Sequence, residues 1–149
     1  MALIENKKAR FNYEILETYR AGLELFGHEV KSLRNKKASL EGAYVKIRGR
    51  EAYLVGATIE PYQALNTPES YDPIRPRRLL LKKKEILDLL NYDNKKGLTM
   101  VPISVYNIGR NLKLEFGVAR GKKKFDKRES IKKKDTDRDI LREAKFKLR

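Results

Sequence analysis

The sequence contains no cysteine, no tryptophan and a single histidine, His28. Without cysteine there are no disulfides, thiolate nucleophiles or cysteine zinc sites, and the chain is compatible with a reducing cytoplasm. A Ser-His-Asp set would depend on His28, and no Gly-x-Ser-x-Gly element accompanies it. We therefore interpret His28 as a surface residue near the start of a helix.

Glycine-rich phosphate loops are also missing, because the sequence contains neither a Walker A loop nor a Gly-x-Gly-x-x-Gly element. The acidic residues that are candidates for Mg²⁺ binding are scattered, and we interpret them as solvated charge. They are Glu14, Glu17, Glu24, Glu29 and Glu41. The sequence thus predicts a protein that is not an enzyme and that uses no cofactor and no metal.

Long hydrophobic runs are absent, so the sequence predicts no membrane-spanning helix. The first five residues lack the charged region and apolar core of a signal peptide, and we expect a cytoplasmic protein. Basic residues, in contrast, are abundant, with 35 Lys and Arg against 20 Asp and Glu and a net charge of +15. This excess favours a polyanionic partner, for which nucleic acid and an anionic membrane surface are the two candidates.

The charge is unevenly distributed. Residues 120–149 hold 14 Lys and Arg against 6 Asp and Glu, a net charge of +8 in 30 positions, and few apolar residues. Such a segment cannot bury enough apolar surface to offset its chain entropy. We predict a folded domain over residues 1–119 and a basic tail over residues 120–149 that is disordered when free.

Alternating apolar residues predict strands within residues 13–26, 44–48, 51–59, 99–106 and 112–118. Turns are expected around Gly49-Arg50 and within residues 107–111, and Pro102 suggests an edge or a bulge. About five strands predict a mainly β fold, either a half-open sheet or a small antiparallel barrel, for which an OB-like barrel is one candidate.

Two short helices are predicted to flank these strands. The first covers residues 27–36, and the second covers residues 83–92 with an apolar stripe of Ile86, Leu87, Leu89 and Leu90. Residues 61–78 contain four prolines and no period, and they predict a long loop.

Three basic segments of the folded part are candidate RNA contacts. Arg75, Arg77 and Arg78 lie in or beside the proline-rich loop, where restricted backbone freedom would favour phosphate binding; a merely solubilising loop is the alternative. Residues 6–13 combine cations with aromatic residues, as in single-strand binders or a simple basic arm. The candidate residues there and on the first helix are Asn6, Lys7, Arg10, Lys31 and Arg34.

The tail begins with a cluster that suits irregular or single-stranded RNA, and further on Ile140 and Leu141 could lie on one face of an induced helix. A nonspecific electrostatic arm is the alternative. The residues of the initial cluster are Lys122, Lys123, Lys124, Phe125, Asp126, Lys127 and Arg128.

Several of these segments together resemble the small protein B family, the tmRNA-binding proteins of bacterial trans-translation. The resemblance covers nearly the whole chain and keeps the order of the motifs. The segments are Asn6-Lys7-Lys8-Ala9-Arg10, Gly27-His28-Glu29-Val30-Lys31-Ser32-Leu33-Arg34, Asp72-Pro73-Ile74-Arg75 with Arg78-Leu79-Leu80-Leu81, Gly117-Val118-Ala119-Arg120-Gly121-Lys122-Lys123-Lys124, and Asp126-Lys127-Arg128.

The resemblance implies a small antiparallel OB-like β-barrel with flanking short helices, a basic C-terminal tail and no catalysis. It implies a bacterial, cytoplasmic protein that binds the tRNA-like part of tmRNA as a monomer, with no membrane partner. By position, Asn6, Arg10, Lys31, Arg34 and Leu80 would belong to the tmRNA face. The tail would sense the empty mRNA path near the decoding centre and small-subunit rRNA of a stalled ribosome, with Ile140 and Leu141 in a helix formed there.

Three features depart from the family pattern. Arg20 stands where the family usually has Glu, Phe125 stands where many relatives have His, and the segment after the second helix lacks the usual Gly-Lys turn. Two alternatives remain at this point. One is a ribosomal or other rRNA-binding protein without a rescue role, and the other is a metal-dependent RNA-processing enzyme.

Overall fold

A computed structural model of the chain describes residues 2–62, 68–93 and 95–122. These residues form nine strands and three helices, so the fold is mainly β, as predicted. The strands are β1 (Ala2–Glu5), β2 (Tyr13–Leu23), β3 (Ala38–Ser39), β4 (Tyr44–Arg48), β5 (Glu51–Val55), β6 (Thr58–Ile59), β7 (Arg77–Leu80), β8 (Leu98–Ile108) and β9 (Asn111–Gly121). The helices are α1 (Ala9–Asn12), α2 (Gly27–Arg34) and α3 (Lys83–Asp93).

Seven of the strands form one antiparallel sheet in the order β1-β8-β4-β5-β7-β2-β9. Because β8 also pairs with β9, the pairings of β8, β4, β5, β7, β2 and β9 return to their starting strand. The longest ladders join β9 to β2 and to β8, whereas Val45 and Met100 make the one Cα pairing of β4 with β8. Strands β3 and β6 form a separate two-stranded sheet.

Both predicted hairpins are present, and each closes through a Gly-Arg pair. Gly49 has φ 61° between β4 and β5, and Gly109 has φ 59° between β8 and β9. A positive φ at the first central residue is what a type II′ hairpin turn requires, and glycine adopts it without a steric cost. The loop expected over residues 107–111 is therefore only two residues long.

Pro102 lies at a bulge rather than at a free edge. The register of β8 against β9 shifts between Pro102 and Ser104, and β1 pairs with the other side of β8 nearby. The Asn6 side-chain amide donates a hydrogen bond to the Pro102 carbonyl at 3.0 Å. The bulge removes the need for a backbone donor at the proline.

The core consists of the inward-facing residues of the large sheet together with one face of α2 and of α3. Phe116 and Leu114 are fully buried, and the Phe116 ring stacks on Tyr19 with ring centroids 5.7 Å apart. Leu33 of α2 and Leu89 of α3 are also buried. Leu87, expected in the apolar stripe of α3, is 60% exposed, because a 3.6-residue period carries it away from the face that holds Leu89.

Strand β7 was not predicted as a strand at its first residues, which fell within the expected loop. Its residues alternate between buried and exposed, with Arg77 and Leu79 inward and Arg78 and Leu80 outward. The period of two is thus present, but an arginine occupies an inward-facing position.

Candidate nucleic-acid interface

The three arginines after the proline-rich segment occupy three different environments. Arg77 is fully buried, and its guanidinium donates to the Glu29 carboxylate at 2.7 and 3.1 Å. Further bonds run to the carbonyls of Ala57 at 2.8 Å and Pro73 at 2.9 Å and to the Tyr71 hydroxyl at 3.1 Å. All three nitrogen atoms of this guanidinium group thus donate hydrogen bonds to other groups of the protein. The expectation that Arg77 faces an RNA does not hold, because the carboxylate that neutralises it lies in the interior.

Arg75 lies at the edge of the same network. Its Nε donates to Glu29 at 3.1 Å, its Nη2 makes a short ion pair with the same carboxylate, and its side chain keeps 24% exposure. The guanidinium carbon lies 4.0 Å from the centre of the Phe26 ring, within the range of a cation–π contact. Arg75 is therefore both an internal ion-pair partner and a surface group.

Arg78 points outward from β7 and is 47% exposed. It lies 3.6 Å from the Glu24 carboxylate and 3.3 Å from that of Glu51. Exposed pairs of this kind exchange readily with solvent and contribute little to stability. Arg78 thus remains accessible, but two carboxylates compete for it.

Glu29 was interpreted as solvated charge, and that prediction was wrong, because the residue is fully buried. Burial raises the pKa of Glu29, but hydrogen bonds from Arg75, the Phe26 backbone and Arg77 outweigh burial and lower the pKa to about 2. The Phe26 N–H donates to Glu29 at 2.9 Å at the start of α2, which is the backbone half of a capping box. One carboxylate thereby links the helix start to the Arg75–Arg77 segment.

A second group of cations surrounds a groove with an apolar floor and a volume of about 400 Å³. Leu80 is 51% exposed at its edge and packs over Gly22, where a Cβ atom would lie 3.3 Å from the Leu80 Cβ. Arg110 and Lys113 from the β8–β9 hairpin provide the charge. We call this the basic groove, lined by Gly22, Leu23, Leu25, Val30, Leu80, Arg110, Asn111, Leu112 and Lys113.

Arg34 and Lys31 extend the basic groove along α2. Arg34 donates to the Arg110 carbonyl at 3.1 Å, and Lys31 lies three residues earlier, on the same side of the helix. Within the described residues neither cation forms a salt bridge, and the same is true of Arg110 and Lys113. Lys31, Arg34 and Leu80, predicted as parts of one face, thus lie beside or near the basic groove.

The N-terminal residues of the expected tmRNA face lie elsewhere. Ala9 of α1 packs with Val101 and Ala119 and against Tyr13, at the start of β2, whereas Leu80 pairs with Gly22 near its end. Arg10 is exposed on α1, Lys7 is exposed just before it, and Asn6 is half-buried against the β8 bulge. The structure therefore separates this group from the basic groove along the length of β2.

Arg20, which departs from the family pattern, faces outward from β2 directly opposite Glu115 of β9. Its guanidinium carbon lies 5.9 Å from the centre of the Tyr106 ring. Lys113 pairs with both Gly22 and Tyr106, so Arg20 lies diagonally next to it on the same outer surface. Arg20 thus adds positive charge near the basic groove.

The predicted tail residues fall mostly outside the described residues, from Lys123 through Phe125 and Arg128 to Ile140 and Leu141. Lys122 is the exception, and its backbone N–H donates to the Asn12 carbonyl at 2.8 Å. Strand β9 continues to Gly121, which pairs with Tyr13 at the α1 end of β2.

Arg110 and Lys113 were missed as site residues at the sequence level. Arg110 is the second residue of a hairpin turn, and Lys113 occupies an outward position of an alternating strand. The alternation could have marked Lys113 as outward. Its proximity to α2 and β7 depends on strand pairings that the sequence alone does not give.

His28 lies near a helix start, as interpreted, but it is half-buried rather than at the open surface. Its ring meets Tyr71 edge to face at a centroid distance of 4.6 Å. Across the described ranges, no group of three or more His, Cys, Asp or Glu side chains is arranged to hold a metal ion. In the same part of the chain, no helix is long and apolar enough to cross a membrane.

A mainly β fold with an apolar groove, whose nearby cations form no salt bridge within the described residues, is typical of basic nucleic-acid-binding modules. The family model described as SmpB protein matches residues 3–146, and the chain belongs to this family.

Curated relatives agree with this assignment. An SsrA-binding protein of Mesoplasma florum is 50% identical over 141 residues, which cover 95% of this chain and 95% of the relative. An SsrA-binding protein of Gloeobacter violaceus is 49% identical over 94% of this chain and 91% of the relative. A chain in the solved structure described as "tmRNA-SmpB: a journey to the center of the bacterial ribosome" is similar with a TM-score of 0.68. The two chains are 45% identical, and the match covers 81% of this chain and 85% of the other.

Proposed function

We propose that this protein binds tmRNA through the basic groove and delivers it to stalled ribosomes for trans-translation. Its membership of the SmpB family, relatives described as SsrA-binding proteins and a similar chain in a tmRNA–SmpB structure on the ribosome support this function. The observation that carries the site is the group of cations around the exposed Leu80, which form no salt bridge with the part of the chain that the structure describes. Cations neutralise phosphates, and an apolar side chain contacts sugar or an unstacked base.

We infer that the cycle of strand pairings is a small OB-like barrel. In a closed cycle each strand is paired on both sides over part of its length, which protects backbone groups from pairing with other chains. Such barrels present a binding surface on their strands and loops. The basic groove, built from the β8–β9 turn, β7 and α2, is a surface of this type.

The position of the end of β9, where the tail begins, supports a division of labour. Lys113 marks the basic groove on β9 and Gly121 lies at the other end of that strand, about 25 Å away at 3.2–3.4 Å per residue. A tail that leaves from Gly121 therefore starts well away from bound tmRNA. We propose that residues 122–128, with Ile140 and Leu141 in an induced helix, contact the decoding centre and the empty mRNA path.

The exposed cations of the N-terminal group lie near the start of β2, beside the end of β9 that leads into the tail. We assign Lys7 and Arg10 to RNA contacts at that end rather than to the basic groove, and Asn6 to holding the segment on the Pro102 bulge. The protein acts without catalysis, cofactor or metal, as a monomer on its RNA in the bacterial cytoplasm.

The test is the affinity of the full chain for the tRNA-like domain of tmRNA across a range of salt concentrations. The slope of log K against log salt should be about −0.7 to −0.9 per phosphate contact. Arg34→Ala and Arg110→Ala should each make the slope less steep by the amount that corresponds to about one phosphate contact. Lys84→Ala, which changes an exposed residue of α3, should leave the slope unchanged. RNA recovered with the protein from its host should contain tmRNA. Recovery of rRNA alone would support the alternative of an rRNA-binding protein and overturn this proposal.

A further inference from the structure

A second cavity, of about 550 Å³, lies at the start of α2, at the other end of that helix from Arg34. We call it the aromatic cavity, because the rings of three residues line it together with loop residues. Its lining residues are Phe26, His28, Pro68, Ser70, Tyr71, Asp72 and Arg75. Its volume lies within the usual range for small-molecule and cofactor sites.

The three rings of the aromatic cavity contact one another in sequence and leave the cavity open. His28 meets Tyr71 edge to face, and Phe26 lies 5.7 Å from His28 with the two rings inclined at 35°. Phe26 remains 52% exposed although it is large and apolar. The burial of such a ring by a flat partner would be favourable.

The buried carboxylate of Glu29 holds the walls in place. The Tyr71 hydroxyl lies 3.0 Å from Glu29, and the Arg75 guanidinium pairs with the same carboxylate while it covers one face of Phe26. Asp72 also borders the cavity, but its carboxylate accepts the Ile74 N–H at 3.0 Å and is engaged within the loop. A ligand would therefore meet rings that are already fixed in position, which reduces the entropy lost on binding.

The His28 side chain, which lines the cavity, also carries one polar atom that has no partner among the described residues. The Nδ1 atom of His28 is buried and has no hydrogen-bond partner among the described residues. An imidazole nitrogen can donate or accept, depending on its protonation, and a buried one without a partner is costly. A ligand with a flat ring would match the stacking surface, whereas this buried nitrogen would become a partner only after rotation of the His28 ring.

We propose that the aromatic cavity receives an unpaired nucleobase of the RNA that occupies the basic groove. This inference rests on the proposed function and adds to it a subsite for one base. Unstacked bases are recognised by stacking on aromatic and guanidinium planes and by hydrogen bonds to their edges. Helix α2 has eight residues and is about 12 Å long, so Lys31 and Arg34 on that helix can hold the adjoining backbone.

The experiment uses the full chain and a transcript of the tRNA-like domain of tmRNA. Phe26→Ala should weaken binding about 5- to 100-fold, the range of an aromatic–base stack, without changing the salt slope, because no phosphate contact is lost. Phe26→Trp should retain the affinity. Ile74→Ala is the matched control, since Ile74 is 56% exposed in the same loop and does not line the cavity.

Ultraviolet crosslinking of the wild-type complex, mapped by mass spectrometry, gives a test that needs no variant. A nucleotide should be attached at Phe26, His28 or Tyr71. Binding by the wild type with no crosslink at these residues and no effect of Phe26→Ala would overturn the base subsite and leave the proposed function intact. No binding of the transcript by the wild type would overturn the proposed function and this inference with it.

Discussion

Arg77 and Glu29 form an ion pair of 2.7 Å in which both side chains are completely buried. The two residues are 48 positions apart in the chain, and their contact joins β7 to α2. Arg75 pairs with the same carboxylate from the surface side. One carboxylate thus compensates two guanidinium groups, and its removal would leave Arg77 charged in the interior.

Glu29→Gln should therefore destabilise the protein by about 3–5 kcal/mol, the range for removing one partner of a buried ion pair. Urea unfolding followed by circular dichroism would measure this. Glu69→Gln is the control, because Glu69 is exposed, and its effect should stay within about 0.5 kcal/mol. Equal stabilities of the two variants would show that the buried pair contributes no net stability.

Stability should also fall in acid through Glu29. Its pKa is about 2 in the folded state against an ordinary value of 4.5, so the folded state favours the ionised form. The resulting contribution, on the order of 3 kcal/mol, is present above pH 4.5 and is lost as the pH falls toward 2. The difference in unfolding free energy between wild type and Glu29→Gln should shrink over that interval. A difference independent of pH would contradict this.

The outward pair Arg20 and Glu115 predicts a charge-swap result. Arg20→Glu places two carboxylates opposite each other across β2 and β9 and should cost about 0.5–1 kcal/mol. The double change Arg20→Glu with Glu115→Arg should recover most of this loss. Thermal unfolding of the two single variants and the double variant completes the cycle. Additive effects would mean that the two side chains do not interact.

Gly117 predicts a packing effect in the middle of β9. A Cβ atom there would lie 2.8 Å from Ile15 Cγ2 and 3.1 Å from the Glu17 carbonyl oxygen, beside the bulge in β2. Gly117→Ala should destabilise the protein by about 1–3 kcal/mol. Gly121→Ala, at the end of the same strand with nothing within 4 Å of its Cβ, should be close to neutral. Chemical denaturation of both variants provides the comparison.

Removal of the chain after Lys124 should separate the two proposed activities. The last described contacts, Gly121 with Tyr13 and the Lys122 N–H with Asn12, are retained in this truncation. Affinity for tmRNA should therefore remain nearly intact, while peptide tagging on ribosomes with an empty decoding site should be lost. Asp126→Ala with Lys127→Ala and Arg128→Ala should behave similarly. If tagging survived truncation, the tail would be only an electrostatic arm.

The elements predicted best are those whose periodicity is complete within a short stretch of sequence. Helices α2 and α3 and the two hairpins follow from apolar spacing and from their Gly-Arg turns. Strand β7 was partly missed because its first inward residue is Arg77, and an arginine at that position predicts a loop or a surface residue. Only the tertiary contact with Glu29 makes its burial possible, and no local pattern reports a contact across 48 residues.

In the candidate site, too, the local patterns could be predicted from the sequence, whereas the tertiary contacts could not. The outward orientation of Lys31 and Arg34 could be inferred from helix spacing, and the exposure of Leu80 from strand alternation. Their position beside Arg110 and Lys113 depends on how β7, β9 and α2 meet. Arg10 is likewise separated from this groove by the length of β2. The sequence predicts this strand but does not show which residues lie at its two ends on the folded surface.

The late position of β9 in the chain has a consequence for synthesis. This strand is complete only when residue 121 has been made, yet it forms long ladders with both β2 and β8. A nascent chain that stops before Asn111 would leave the edges of two 11-residue strands open, and such edges readily pair with other chains. Interrupted translation of its own message would thus yield an aggregation-prone fragment of this protein.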